Sequence, residues 1–214
     1  MHIARRAELS RLHPQAQGQS LEDILISSET ALSLIDNYVL SLQAMARGQD
    51  LIREPVSVSA VLHDAAHELL PAAKQYGVTL ELDAGAKIEP VSMHRTSLQA
   101  AFVSLGHALI EALASTGATA QTPLKLAVHR SRYGVVAGLY CGREEITVEA
   151  FRRSQLLQGN VRQPHINLSA AAGAGVFVAD ALLKTMSTSL KVSRHHKQCG
   201  LAAILPPLNQ LQLV

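Results

Sequence analysis

The chain has 214 residues, 48% of them hydrophobic, which is enough for one large or two small domains with a real core and too apolar for a disordered segment. Its 19 Lys and Arg against 17 Asp and Glu leave a net charge of only +2, and with no Trp and three Phe it lacks both the basic field and the stacking surface of a nucleic-acid binder. Two cysteines without a CxxC spacing, Cys141 and Cys199, suit reduced thiols rather than a disulfide framework. The longest apolar run falls short of the roughly 20 residues of a membrane span, no signal peptide is visible, and a cytoplasmic location is expected.

In chain order, a short helix around Ile3 to Leu12 is followed by a break at Pro14 and Gly18. Ser20 then caps a predicted helix running to Arg47, where Gly48 is a stop signal. Leu21, Ile24, Ser28, Ala31, Ile35, Tyr38, Leu42 and Met45 recur at spacings of three and four, and Leu25, Leu32 and Val39 widen the stripe. So wide a stripe exceeds what one neighbour needs, so the helix is expected to pack in a bundle, with the N-terminal helix or with a second copy of the chain.

After Gly48 the pattern becomes mixed. The spacing predicts a strand from Glu54, a helix from Ala60 capped by Ser59 and ended by Gly77, a strand Val78–Leu82 and a helix Thr96–Ala114. Strands Leu124–Val128 and Val135–Tyr140 follow, then a helix Val148–Leu157, an irregular stretch Gly159–Ser169, a helix to Met186, and strands Ser189–Ser193 and Leu201–Leu205 joined by a turn through Gly200. Helices alternating with hairpins predict an α+β sandwich with helices on one face of a mixed sheet.

Chemistry-bearing groups are sparse. His63 and His67 stand at i, i+4 as two zinc ligands would, but Asp64 takes the place of the HExxH glutamate and no third ligand is indicated, so a surface pair is expected. His195 and His196 fall in a turn near Cys199, and no metal is assigned there. A Ser/His/Asp hydrolase lacks its GxSxG elbow. The stretch from Ser169 to Met186 reads as a glycine turn running into a helix: Gly173 and Gly175 would let the backbone approach a phosphate, and the helix from Val176 would aim its unpaired N–H groups at it.

The order of these motifs resembles that of sensor histidine kinases. Leu32 to Leu82 looks like the second dimerisation helix joined to the start of the ATP-binding domain, and Gly173 to Pro206 looks like that domain's last glycine box, helix and hairpin. The resemblance implies a helical dimerisation hairpin, residues 1–48, followed by a histidine-kinase-like (Bergerat-type) sandwich, residues 49–214. Three departures accompany it. Where the resemblance places Asn ligands for Mg²⁺ and phosphate, this chain has Ser104 and Ala108, with His107 and Glu111 flanking; alanine offers no oxygen to a hard cation. Where it places the carboxylate that accepts the adenine amino group, this chain has Tyr140 or Cys141, keeping only Gly142 of the glycine box, and Glu144 and Glu145 follow as charges capping a helix. For the phosphoacceptor the candidates are His2 and His13; the family follows its His with an acidic residue and then a Pro, whereas His2 is followed by Ile3 and has almost no helix before it, and His13 is followed by Pro14 at the predicted helix end.

Two functions of different classes follow. One is a degenerate two-component signalling protein, a pseudokinase acting as phosphotransfer scaffold or adaptor, homodimeric through the helix 20–47, without cofactor and docking a response-regulator receiver domain. The other is an enzyme, an ATP- and magnesium-dependent histidine kinase fragment or histidine phosphotransferase. The departures point to the first and Gly173 with Gly175 to the second. An irregular stretch that takes the place of the ATP lid is expected to lie closed over the pocket.

Overall fold

The computed structural model describes residues 17–47, 52–85, 88–117, 123–157 and 170–208. Helix α1 spans Gln17–Arg47, so Ser20 lies inside the helix instead of capping it. Strand β1 (Glu54–Val56) pairs antiparallel with β3 (Val91–Met93) in a small two-stranded sheet, a pairing too short for the sequence pattern to reveal. Helix α2 (Val58–Tyr76) is capped by Ser57, whose hydroxyl accepts from the Ala60 N–H, rather than by Ser59, which instead donates to the Ala84 carbonyl. Its predicted C-terminal stop, Gly77, adopts φ 66°, the left-handed conformation that glycine reaches without a Cβ penalty.

The main sheet has five strands: β2 (Leu80–Asp83), β4 (Leu124–Ser131), β5 (Gly134–Tyr140), β6 (Lys191–His195) and β7 (Gln198–Leu205), in the order β2-β4-β5-β7-β6. Only β2 and β4 are parallel; the other pairs are antiparallel. Helices α3 (Arg95–Ser115), α4 (Glu144–Leu157) and α5 (Ala170–Thr185) complete the layer. α4 begins at Glu144, four residues before the predicted start, with Glu144 and Glu145 in its first turn where they favour the helix dipole. The last hairpin turns at His196 and Lys197, not at Gly200, which lies inside β7.

Alternation along the strands divides the sheet cleanly. Leu124, Leu126, Val128, Val135, Ala137, Leu139, Leu201, Ala203 and Leu205 face the helices and join the main core with Leu62, Leu69, Phe102, Leu109 and Leu182. Ala127, Val136, Tyr140 and Ala202 form a second, small cluster on the opposite face. α3 is the described helix long and apolar enough to cross a membrane, yet it is the buried centre of the helical layer, in contact with α2 and α5. Buried Asp180 of α5 accepts from the Leu190 N–H at 2.9 Å and from Lys184 Nζ at 2.8 Å, which satisfies the carboxylate and fixes the entry into β6.

α1 lies against α5, α3 and α2. The face it turns to them mixes small, polar and apolar groups: Ser41 and Ala44 are buried, Leu34 and Leu40 pack against the main core, Gln75 donates to Ser27 at 3.4 Å, and Tyr38 tilts against Phe177 with ring centroids 6.3 Å apart. A second apolar stripe faces outward, with Leu25, Leu32, Ile35, Val39 and Leu42 all exposed.

Candidate functional site

The residues aligned with a nucleotide site gather where α1, α3 and α5 meet. His94 begins α3, its Nδ1 accepting from the Ser97 N–H at 3.3 Å. From there the helix carries Ser104, His107, Ala108 and Glu111 along consecutive turns. Ser104 is buried and its Oγ accepts from Asn37 Nδ2 of α1 at 3.0 Å. Ala108 is buried against α5. His107 and Glu111 are half-buried, and burial pushes the His107 imidazole down to about 4, so it is neutral at pH 7.

Gly173 and Gly175 correct the sequence reading. They belong to no turn: α5 starts at Ala170 and passes through both, and the helix does not begin at Val176. A Cβ at 175 would sit 2.6 Å from the Ser104 carbonyl oxygen and 2.9 Å from the Ala108 Cβ; a Cβ at 173 would sit 2.9 Å from the Arg153 Cβ. These glycines let α5 approach α3 and α4 closely, and their N–H groups lie within a continuing helix rather than at its open end. Small residues mark a close helix crossing as readily as a phosphate turn, and only the contacts with α3 and α4 decide between them.

The adenine-contact candidates also separate. Tyr140 is fully buried on the sheet face turned away from the helices, where burial raises its phenol. Cys141 points to the helical side, its Sγ 3.2 Å from Thr147 Oγ1. Gly142 sits in the exposed β5–α4 link with φ 67°. Glu144 pairs with Arg194 at 2.6 Å on the surface, as befits a solvated capping charge. His2, His13 and the lid stretch Gly159–Ser169 lie outside the described residues. His63 and His67 line a groove between α2 and the β2 edge, together with Leu70, Leu80, Glu81 and Leu82.

A second group joins His195 and His196, singled out in the sequence beside Cys199, to Asp83 and His129, which sequence reasoning missed because they lie far off in the chain. At the β6–β7 turn His195 Nε2 lies 3.1 Å from Asp83 Oδ2 of β2, and His196 Nε2 lies 4.0 Å from the same oxygen. His195 also stacks on His129 of β4, with centroids 4.9 Å apart, and tilts against Tyr140 at 5.2 Å. The hydrogen bond from His195 holds the Asp83 carboxyl below its usual range, and burial, followed by the charges of His195 and His196, holds His129 below its own. Cys199 faces the opposite, helical side near Thr147 and Cys141 and takes no part.

No protein-family model and no curated protein matches the sequence. Solved structures match at the level of fold. Acinetobacter baumannii histidine kinase AdeS aligns over 98% of this chain and 98% of its own, with TM-score 0.52 and 13% identity. A histidine kinase from Burkholderia phymatum STM815 aligns over 97% and 98%, with TM-score 0.52 and 15% identity. ShkA, full-length and in complex with AMPPNP, aligns over 90% of this chain and 39% of its own, with TM-score 0.57 and 13% identity. The chain thus has the fold of a histidine-kinase-like ATPase domain preceded by a long helix.

Proposed function

We propose that this chain is a degenerate, cytoplasmic relative of the sensor histidine kinases that works as a phosphotransfer scaffold or adaptor, with residues 1–48 as dimerisation hairpin and residues 49–214 as sandwich. The observation that carries this reading is the pairing of Asn37 with Ser104. The hydroxyl at the position of a Mg²⁺-binding Asn is taken up by α1, and one turn further Ala108 offers no oxygen and packs on Gly175. The residues present therefore do not fit a Mg-nucleotide. Tyr140 and Cys141 supply no carboxylate for an adenine amino group, and they point to opposite sides of the sheet.

What the domain retains is surface. The outward stripe of α1 follows the four-and-three spacing of a left-handed coiled-coil seam, Leu21, Leu25, Ser28, Leu32, Ile35, Val39, Leu42, which suits a second copy of the same helix. A helical dimer of this kind is a surface on which a response-regulator-type receiver domain could dock, and no step of that reading consumes ATP.

Calorimetric titration of the full chain with Mg-ATP is the decisive experiment. The expected result is a dissociation constant no tighter than about 1 mM, because both the oxygen ligand for Mg²⁺ at Ala108 and a carboxylate for the adenine amino group are missing. Micromolar binding, with label from γ-labelled ATP appearing on a histidine, would establish the kinase reading instead.

A further inference from the structure

We infer that Asp83, His195 and His196 form a binding site for a divalent cation of the zinc class, built across the two edge strands of the five-stranded sheet. The ligand atoms, one carboxylate oxygen and two imidazole nitrogens, lie within 4.8 Å of one another. Tetrahedral zinc with bonds of about 2.0–2.1 Å to nitrogen sets its ligands about 3.3 Å apart. The His195–Asp83 separation of 3.1 Å already meets that spacing, and the His196–Asp83 separation of 4.0 Å approaches it. His196 is the ligand free to close the remainder, since its side chain is 74% exposed while that of His195 is only 10% exposed.

The surroundings favour a cation. Stacking on His129 and tilting against Tyr140 fix the plane of the His195 ring, as supporting contacts do for metal-bound imidazoles. Lys125 pairs directly with Glu81 at 3.2 Å, and only its longer-range charge reaches Asp83. The turn itself places His196 and Lys197 at φ 45° and 68°, positions where two-residue hairpins favour Asn and Gly. Two imidazoles and one carboxylate leave a tetrahedral ion one position open to water or to a group from outside, and this donor set selects zinc, cobalt, nickel or copper over magnesium and calcium.

The test is titration of the full chain with Zn²⁺ in the presence of a weak competing chelator, paralleled by Co²⁺ absorption. Wild type is expected to bind one equivalent at micromolar free metal, with visible Co²⁺ bands of a four-coordinate ion. His196→Ala, chosen because an exposed side chain is removed without touching the core, is expected to weaken binding at least about tenfold with the far-ultraviolet circular dichroism unchanged, as is Asp83→Asn. The paired variant His63→Ala/His67→Ala is expected to bind as wild type does. The proposal is overturned if wild type takes up no metal at about 100 μM, a far weaker affinity than such ligand sets support, if His196→Ala binds undiminished, or if the α2 pair proves to hold the ion.

Discussion

At position 175 the missing side chain matters more than any that is present. Alanine there would gain about 1 kcal/mol of helix propensity, yet its Cβ would intrude between the Ser104 carbonyl and Ala108. Overpacking of this kind typically costs about 1–3 kcal/mol beyond such gains, so Gly175→Ala is expected to lower the urea midpoint; an unchanged midpoint would mean that α3 and α5 can part freely. His107 carries a second consequence. Its folded value, about 4, lies below the unfolded 6.5, so the protein's preference for neutral imidazole is fully felt above pH 6.5 and is lost as pH falls toward 4. The corresponding destabilisation is bounded at on the order of 3 kcal/mol. Urea unfolding at pH 7 and pH 4.5 should show His107→Gln losing less stability on acidification than wild type does.

The helices reveal which signals in the sequence are reliable. The long α1 stripe, the Gly77 stop and the strands expected at Leu124–Val128 and Val135–Tyr140, which extend to Ser131 and back to Gly134, were legible because each rests on a period or a stop signal that acts locally. The Val91–Met93 strand was not, because three residues carry too little alternation and their order depends on pairing with Glu54–Val56. The glycine pair was misread for a related reason: the neighbours it approaches, α4 at Arg153 for Gly173 and α3 at Ser104 and Ala108 for Gly175, are invisible in a local window. Ser104 and Ala108 were singled out in the sequence, but the contacts they make with Asn37 and Gly175 were not, since tertiary contact alone joins them. The same helix α1 supports a sharper prediction. Ile35 is 57% exposed and Leu42 46% exposed, so neither supports the fold of a single chain. Ile35→Asp with Leu42→Asp is therefore expected to halve the mass in sedimentation while leaving the circular dichroism intact. A wild-type chain already monomeric at about 10 μM would remove the premise, since a seam of this length should bury enough apolar surface to hold below that concentration.

Across the whole molecule, the sheet is joined to itself. β2 and β6 stand at opposite ends of the strand order, yet Asp83 and His195 are in hydrogen-bond contact, so the corner carrying the last turn curls over the outer face and covers Tyr140. Small residues at Ala127, Gly138, Gly200 and Ala202 on that face leave room for the curl. One hydrogen bond ties the two edge strands at this corner, while Leu82 and Val192 along them stay exposed.

That closure has a counterpart in time. β5, the middle strand, receives β4 on one side within a few residues, but its other side waits for β7, and the Asp83–His195 contact spans 112 positions. A chain emerging from the ribosome at about 5–20 residues per second holds the apolar edge of β5 uncovered for several seconds before the final hairpin arrives. During that interval the nascent sheet is a half-finished surface, and β6 and β7 are the strands that seal it.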